Sequence, residues 1–200
     1  MTRFAVLASG AGTNLQAILD AVASGQIAAE PSLVLTDRPN AKALDRAQAA
    51  GIPRAVLPFK DFESRETFTD AVVAEVKSSG ADFVVLAGFM RILAPAACEA
   101  YPNAIINTHP SLLPAFQGAS AVAEAIAYGV TVTGCTVHLI DEELDHGPII
   151  VQEAVPVLPG DDEESLHERI KVVEHRLLPE VVANFAQGRY RVDGRHVALT

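Results

Sequence analysis

The sequence predicts an α/β fold: a mainly parallel, twisted sheet flanked by helices, with a mixed or antiparallel extension toward the C-terminal end. Three observations predict it. Short apolar runs alternate with helix-spaced segments through the first hundred residues, the rhythm of parallel strands joined by crossover helices. A glycine-rich turn, Ser9-Gly10-Ala11-Gly12-Thr13-Asn14, comes after the first apolar run. Beyond residue 130 the apolar segments lengthen, become β-branched and partly alternate, as antiparallel strands do.

Each element has its own signal. Phe4–Ser9 is an apolar run ending at glycines, a buried strand. Asn14–Ser24 carries Leu15, Ile18, Leu19 and Val22 at helical spacing. Ser32–Thr36 is a second strand, Ala41–Ala50 a second helix closed by Gly51, and Arg54–Leu57 a short third strand. Glu63–Ser79 presents Phe68, Val72, Val73 and Val76 on one helical face and ends at Gly80. Asp82–Ala87 is a fourth strand, apolar throughout its interior. After a strand at 104–107, Ala119–Tyr128 reads as a helix ending at Gly129. Thr131–Ile140 and Pro148–Leu158 read as long strands. Asp161 and Glu164 suggest a capping box for a helix over about Asp162–Gln187. The tail, Arg189–Val192 and Arg195–Leu199 about Asp193-Gly194, reads as a hairpin. With no repeat, low-complexity tract or linker, the chain is expected to form one domain, 1–200, that changes character near residue 100.

Composition narrows the function. The formal charge is −10 and half of the 200 residues are hydrophobic. A nucleic-acid surface would show a basic patch, so no nucleic-acid partner is expected. A small anionic substrate stays compatible, because a few backbone amides and one cation bind phosphate locally. No apolar run approaches the ~18 residues of a membrane span, and Phe4–Ser9 is too short for the core of a signal peptide. Cys98 and Cys135 are isolated, so reduced thiols and a cytoplasmic location are expected. Apolar surface on the first sheet edge or the terminal hairpin would support a homodimer.

The glycine-rich turn opens the first helix, where free N–H groups and the helix dipole favour an anion. No Gly-Lys-Ser/Thr is present after it, which excludes a Walker A loop. Gly10-x-Gly12 with Asp37 at the end of the second strand partly fits a Rossmann-like dinucleotide turn, but Leu15 stands where a third glycine or alanine is required. A purely structural turn is the alternative reading.

The chemistry concentrates in Asn107-Thr108-His109-Pro110-Ser111-Leu112-Leu113-Pro114. Residues two apart on a strand point the same way, so Asn107 and His109 face one volume before Pro110 and Pro114 stop the strand and stiffen the next segment. A hydrogen-bond donor beside a titratable group suits an oxyanion and a proton transfer. The loop Asp141-Glu142-Glu143-Leu144-Asp145-His146-Gly147-Pro148 supplies four acids. One of them beside His109 would favour imidazolium; spacing does not say which. His109, His138, His146 and Asp145 match no standard metal-ligand spacing, so no metal is expected. His167 and His175 read as surface or packing residues, Arg65 as a solvated helix residue, and Lys171 with Glu174 as a surface ion pair.

These motifs together resemble the folate-dependent phosphoribosylglycinamide formyltransferase family. The resemblance rests on Ser9–Ile18, Val84–Leu93, Asn107–Pro114, Thr133–His138, Asp145-x-Gly147-Pro148-Ile149-Ile150 and Glu168–Lys171, in order and nearly end to end. It implies a Rossmann-like formyltransferase fold whose N-terminal half binds phosphate and whose C-terminal half carries catalysis and folate. It implies formyl transfer from 10-formyltetrahydrofolate, the co-substrate, to N1-(5-phosphoribosyl)glycinamide in purine biosynthesis. By that resemblance Gly12, Thr13, Asn14 and Lys171 hold the substrate phosphate and Glu174 the ribose. Arg65, Met90, Arg91, Ile92 and Leu93, with Asn107, Asp141, Glu142, Glu143, Leu144 and Asp145, contact the folate. Asn107, His109 and Asp145 form the catalytic group, which selects Asp145 among the acids.

Two departures from the family pattern stand out. In the 115–120 loop, Gln117 occupies a position usually held by proline and Ser120 one often held by histidine; in the acidic loop, His146 occupies a position usually small. Alternatives to the transferase are a formyltetrahydrofolate hydrolase-like enzyme and a non-catalytic folate- or nucleotide-binding protein. A methionyl-tRNA formyltransferase would carry a further RNA-binding domain, for which this acidic chain ends early.

Overall fold

Nine strands hydrogen-bond into one sheet in the computed structural model, which describes residues 1–200. They are β1 Arg3–Leu7, β2 Glu30–Thr36, β3 Arg54–Val56, β4 Phe83–Leu86, β5 Ile105–His109, β6 Val132–Leu139, β7 Ile149–Pro156, β8 Tyr190–Asp193 and β9 His196–Leu199. Their order across the sheet is β3-β2-β1-β4-β5-β6-β7-β9-β8. The first five are parallel. β6 then runs antiparallel to β5 and to β7. The terminal β8–β9 hairpin joins β7 through one parallel pair, Ile149 with His196.

Six helices cover the sheet: α1 Thr13–Ala23, α2 Ala43–Ala49, α3 Arg65–Ser78, α4 Ala96–Ala100, α5 Ala121–Tyr128 and α6 Glu163–Ala186. Alternation along β1 sorts the core. Phe4 and Val6 pack with α1 and α6 through Leu15, Ile18, Ile170 and Leu178. Ala5 and Leu7 pack on the other face with Phe68 and Val72 of α3. Burying both faces of the parallel strands requires their apolar runs to be continuous, as they are in Phe83–Leu86.

The chain order reverses at β1, whose neighbours are β2 and β4, so a crevice opens beyond the carboxyl ends of β1 and β4. The turn 8–12, the segment 87–94 and the end of β5 all meet there.

The structure corrects several local expectations. The capping box of α6 is made by Asp162 and Ser165, not by Asp161 and Glu164: Asp162 Oδ1 accepts from the Ser165 amide at 2.8 Å. Asp161 is committed elsewhere, taking Arg169 through two bonds of 2.7 and 2.8 Å. That guanidinium holds the Asp161 carboxyl well below the usual carboxylate range. β5 extends to His109 rather than ending at 107. Short α4 after Pro95 and a single 3₁₀ turn at Phe59–Asp61 carry no amphipathic signal and escape periodicity arguments.

Candidate functional site

A cavity of about 530 Å³ fills the crevice, within the range of small-molecule sites. One end is the turn Gly10–Asn14, the middle is Asn107, His109 and Asp145, and the far side is the 86–93 segment facing 140–145.

The turn is shaped by Gly12. Its backbone is left-handed, with φ 68° at the N-cap of α1. A Cβ there would lie 2.9 Å from the Ala43 Cα, so both conformation and space demand glycine. The turn leaves the first amides of α1 without a side-chain cap, an arrangement suited to an anion. Asn14 donates to Glu174 at 3.1 Å, and Glu174 is 4% exposed. Lys171 pairs with Glu168 at 2.6 Å. The expected Lys171–Glu174 surface pair is therefore corrected: Glu174 faces inward to Asn14 while Lys171 lies at the cavity rim.

The centre is a chain of hydrogen-bonding groups on adjacent strands. Asn107 lies directly opposite His138 across the β5–β6 ladder. His138 is fully buried, and its Nδ1 lies 2.8 Å from the Leu139 carbonyl, which only accepts, so Nδ1 carries the proton. Its Nε2 then accepts from Asn107 Nδ2 at 3.1 Å. The other Asn107 proton points to Asp145 Oδ1 at 3.4 Å, a long contact that a substrate oxygen can replace. Asp145 Oδ2 accepts from the Gly118 amide at 2.8 Å and lies 3.4 Å from His109 Nδ1. His109 Nε2 lies 2.7 Å from the Phe116 carbonyl. With an acceptor at each ring nitrogen, the imidazolium form satisfies both sides.

Burial is the main cause that pushes the His138 imidazole below its ordinary pKa, against a smaller raising contribution from Asp145. As pH falls below about 6.5, the unfolded chain takes up a proton that folded His138 refuses, so this residue removes stability on acidification. His138→Gln is expected to lose less stability between neutral pH and pH ~5 than the wild type, measured as denaturant midpoints. A larger loss in the variant would contradict the buried neutral assignment.

The far wall is fixed by Arg91. Its Nε donates to Asp37 at 2.7 Å, and its guanidinium lies 4.8 Å from the Phe59 ring centre. Asp37 gives its Oδ2 to Arg91, and its other oxygen, Oδ1, is unpartnered but buried, so the carboxylate is not exposed to a ribose, which argues against the dinucleotide reading. Met90 and Ile92 are about half exposed beside the opening.

Of the residues assigned to the site from sequence, Arg65 alone is not on the cavity wall. It sits on the first turn of α3, 3.5 Å from Glu66 and outside the cavity wall. Phe116, Gly118, His138 and His167 belong to the site without having been assigned to it from sequence. His138 was readable from register, once β6 is placed beside β5; the others reach the site through loop and helix geometry with no sequence signature. His146 turns away from the catalytic group: its Nδ1 lies 2.7 Å from Asp141 and its carbonyl accepts from Arg195 of the terminal hairpin at 2.6 Å. No group of three or more His, Cys, Asp or Glu side chains is arranged to hold a metal ion, and no helix is long and apolar enough to cross a membrane.

The family described as Formyl transferase matches residues 2–182. Phosphoribosylglycinamide formyltransferase of Mycobacterium tuberculosis is 48% identical over 197 residues, 98% of this chain and 91% of that protein. The trifunctional purine biosynthetic protein adenosine-3 of Drosophila pseudoobscura is 46% identical over 94% of this chain, which spans only 14% of that protein's length. The crystal structure of glycinamide ribonucleotide transformylase 1 from Symbiobacterium toebii superposes with a TM-score of 0.97 at 46% identity, covering 100% of this chain and 94% of that one.

Proposed function

The chain belongs to the formyl transferase family, and we propose that it transfers the formyl group of 10-formyltetrahydrofolate to the amine of N1-(5-phosphoribosyl)glycinamide, in purine biosynthesis. The observation that carries this reading is one cavity joining an anion-binding helix start to an Asn–His–Asp cluster and an apolar-rimmed slot. The phosphate would sit on the amides of Gly12, Thr13 and Asn14, with Lys171 at the rim and Glu174 toward the ribose. The folate would occupy the slot between Met90–Leu93 and Asp141–Asp145.

The chemistry derives from that placement. The substrate amine attacks the formyl carbon, and negative charge develops on the formyl oxygen. Asn107 exchanges its long Asp145 contact for that oxygen, and His109, as imidazolium with Nδ1–H kept toward Asp145, donates to it through Nε2–H once that proton leaves the Phe116 carbonyl. Asp145 orients His109 and balances its charge. The carbon–nitrogen bond to folate breaks as a proton from the attacking amine reaches the folate nitrogen, carried by His109 or water. The products are the formylated ribonucleotide and tetrahydrofolate.

Incubating purified protein with both substrates and identifying the products by mass spectrometry tests the reading. Formylated ribonucleotide is expected in step with tetrahydrofolate; unchanged ribonucleotide would overturn it. The subsite assignment makes a separate prediction. Lys171→Ala removes a rim cation, so KM for the ribonucleotide is expected to rise about tenfold with kcat nearly unchanged, the mark of uniform binding. A fall confined to kcat would contradict the phosphate role.

A further inference from the structure

The turn at 116–118 touches the catalytic pair through three consecutive residues. The Phe116 carbonyl takes His109 Nε2 at 2.7 Å. The Gln117 side-chain amide donates to the backbone carbonyls of Leu144 and Asp145, each at 3.1 Å. The Gly118 amide donates to the Asp145 carboxylate at 2.8 Å. One face of this turn therefore holds the imidazole, and the other holds both the backbone and the side chain of its acid.

The backbone on both sides is strained. Only Asn103, Phe116 and Asp145 adopt positive φ among the non-glycine residues, at 52°, 53° and 49°. Two of the three belong to this contact. A left-handed non-glycine residue persists only where its surroundings over-determine it. Phe116 is braced by its ring against Tyr128, with centroids 6.1 Å apart. Asp145 has no comparable apolar anchor: its loop neighbour Leu144 is 48% exposed. What ties its backbone to the 116–118 turn is the Gln117 amide, which donates to two carbonyls at once.

We infer that Gln117 is a positioning residue: its amide ties the 116–118 turn to Leu144 and Asp145 and so holds the Asp145 carboxylate against His109. The inference rests on the reaction proposed above. Gln117 is itself exposed and lies outside the cavity wall, so its replacement leaves the core and the substrate contacts in place. Gln117→Met keeps length and removes both donors. Gln117→Glu turns a donor into a carboxylate facing two carbonyl oxygens.

Both variants are expected to fold with unchanged thermal midpoints and to lose kcat by about 10- to 100-fold, the scale of a small misplacement of a catalytic group. KM for the ribonucleotide is expected to stay within about twofold, because its subsite is untouched. Hydrogen exchange at the Gly118 amide is expected to accelerate as the Asp145 carboxylate loosens. Wild-type kcat in Gln117→Met, or unchanged Gly118 exchange in both variants, would overturn the positioning role. So would a loss appearing only in KM or only in folding. If the wild type itself forms no formylated product, accelerated Gly118 exchange would still uphold the tie while the reaction falls.

Discussion

His109→Ala is expected to bind the ribonucleotide with wild-type affinity and to lose turnover by about 10²–10⁴-fold, the usual contribution of a positioned acid–base group. The imidazole sits between the Asp145 carboxylate and the Phe116 carbonyl, away from the Gly10–Asn14 turn that would carry most of the binding. The loss should therefore appear in kcat, with the ribonucleotide dissociation constant moving less than about twofold. Titration calorimetry and steady-state rates measure the two separately. Asp145→Asn should move kcat in the same direction, because it preserves shape and removes the charge that balances imidazolium. Wild-type turnover in His109→Ala would remove the imidazole from the mechanism.

Gly134→Ala is expected to cost about 3 kcal/mol of stability, the scale of overpacking a filled interior, and to lower the thermal midpoint by roughly 6–12 °C for a chain of this size. Gly134 lies within β6, paired with Ala154 of β7. A Cβ there would run into the Glu153 carbonyl and the Leu112 side chain. Leu112 belongs to the segment just after His109, so the same substitution should also lower kcat among molecules that remain folded. Calorimetric melting and activity below the midpoint check both parts. An unchanged midpoint would show that Leu112 and β7 can move aside.

Much of this architecture was legible because local patterning and burial agree. β1 and β4 are buried on both faces and read as unbroken apolar runs, and α1 and α3 present helix-spaced apolar stripes between them. The same-side relation of Asn107 and His109 comes from strand parity alone. The parts that were not legible depend on distant pairing. Asn14 meets Glu174 across 160 residues; spacing within α6 pointed instead to Lys171 as the partner. The choice of Asp145 among neighbouring acids depends on a left-handed backbone and the Gly118 amide, neither of which residue type encodes. The capping box shifted by one residue because Arg169 competes for Asp161. Gln117 was readable only as a departure from a pattern; its two backbone acceptors come from a loop 27 and 28 residues away.

The family's chemistry and the cavity's geometry meet in one requirement: folate release must depend on the ribonucleotide amine. Absorbance of the folate on mixing protein with 10-formyltetrahydrofolate, with and without N1-(5-phosphoribosyl)glycinamide, tests it directly. The account predicts release only when the ribonucleotide is present. Release at the same rate without it would identify a hydrolase, and no release in either case would identify a binding protein; either result would contradict the transferase.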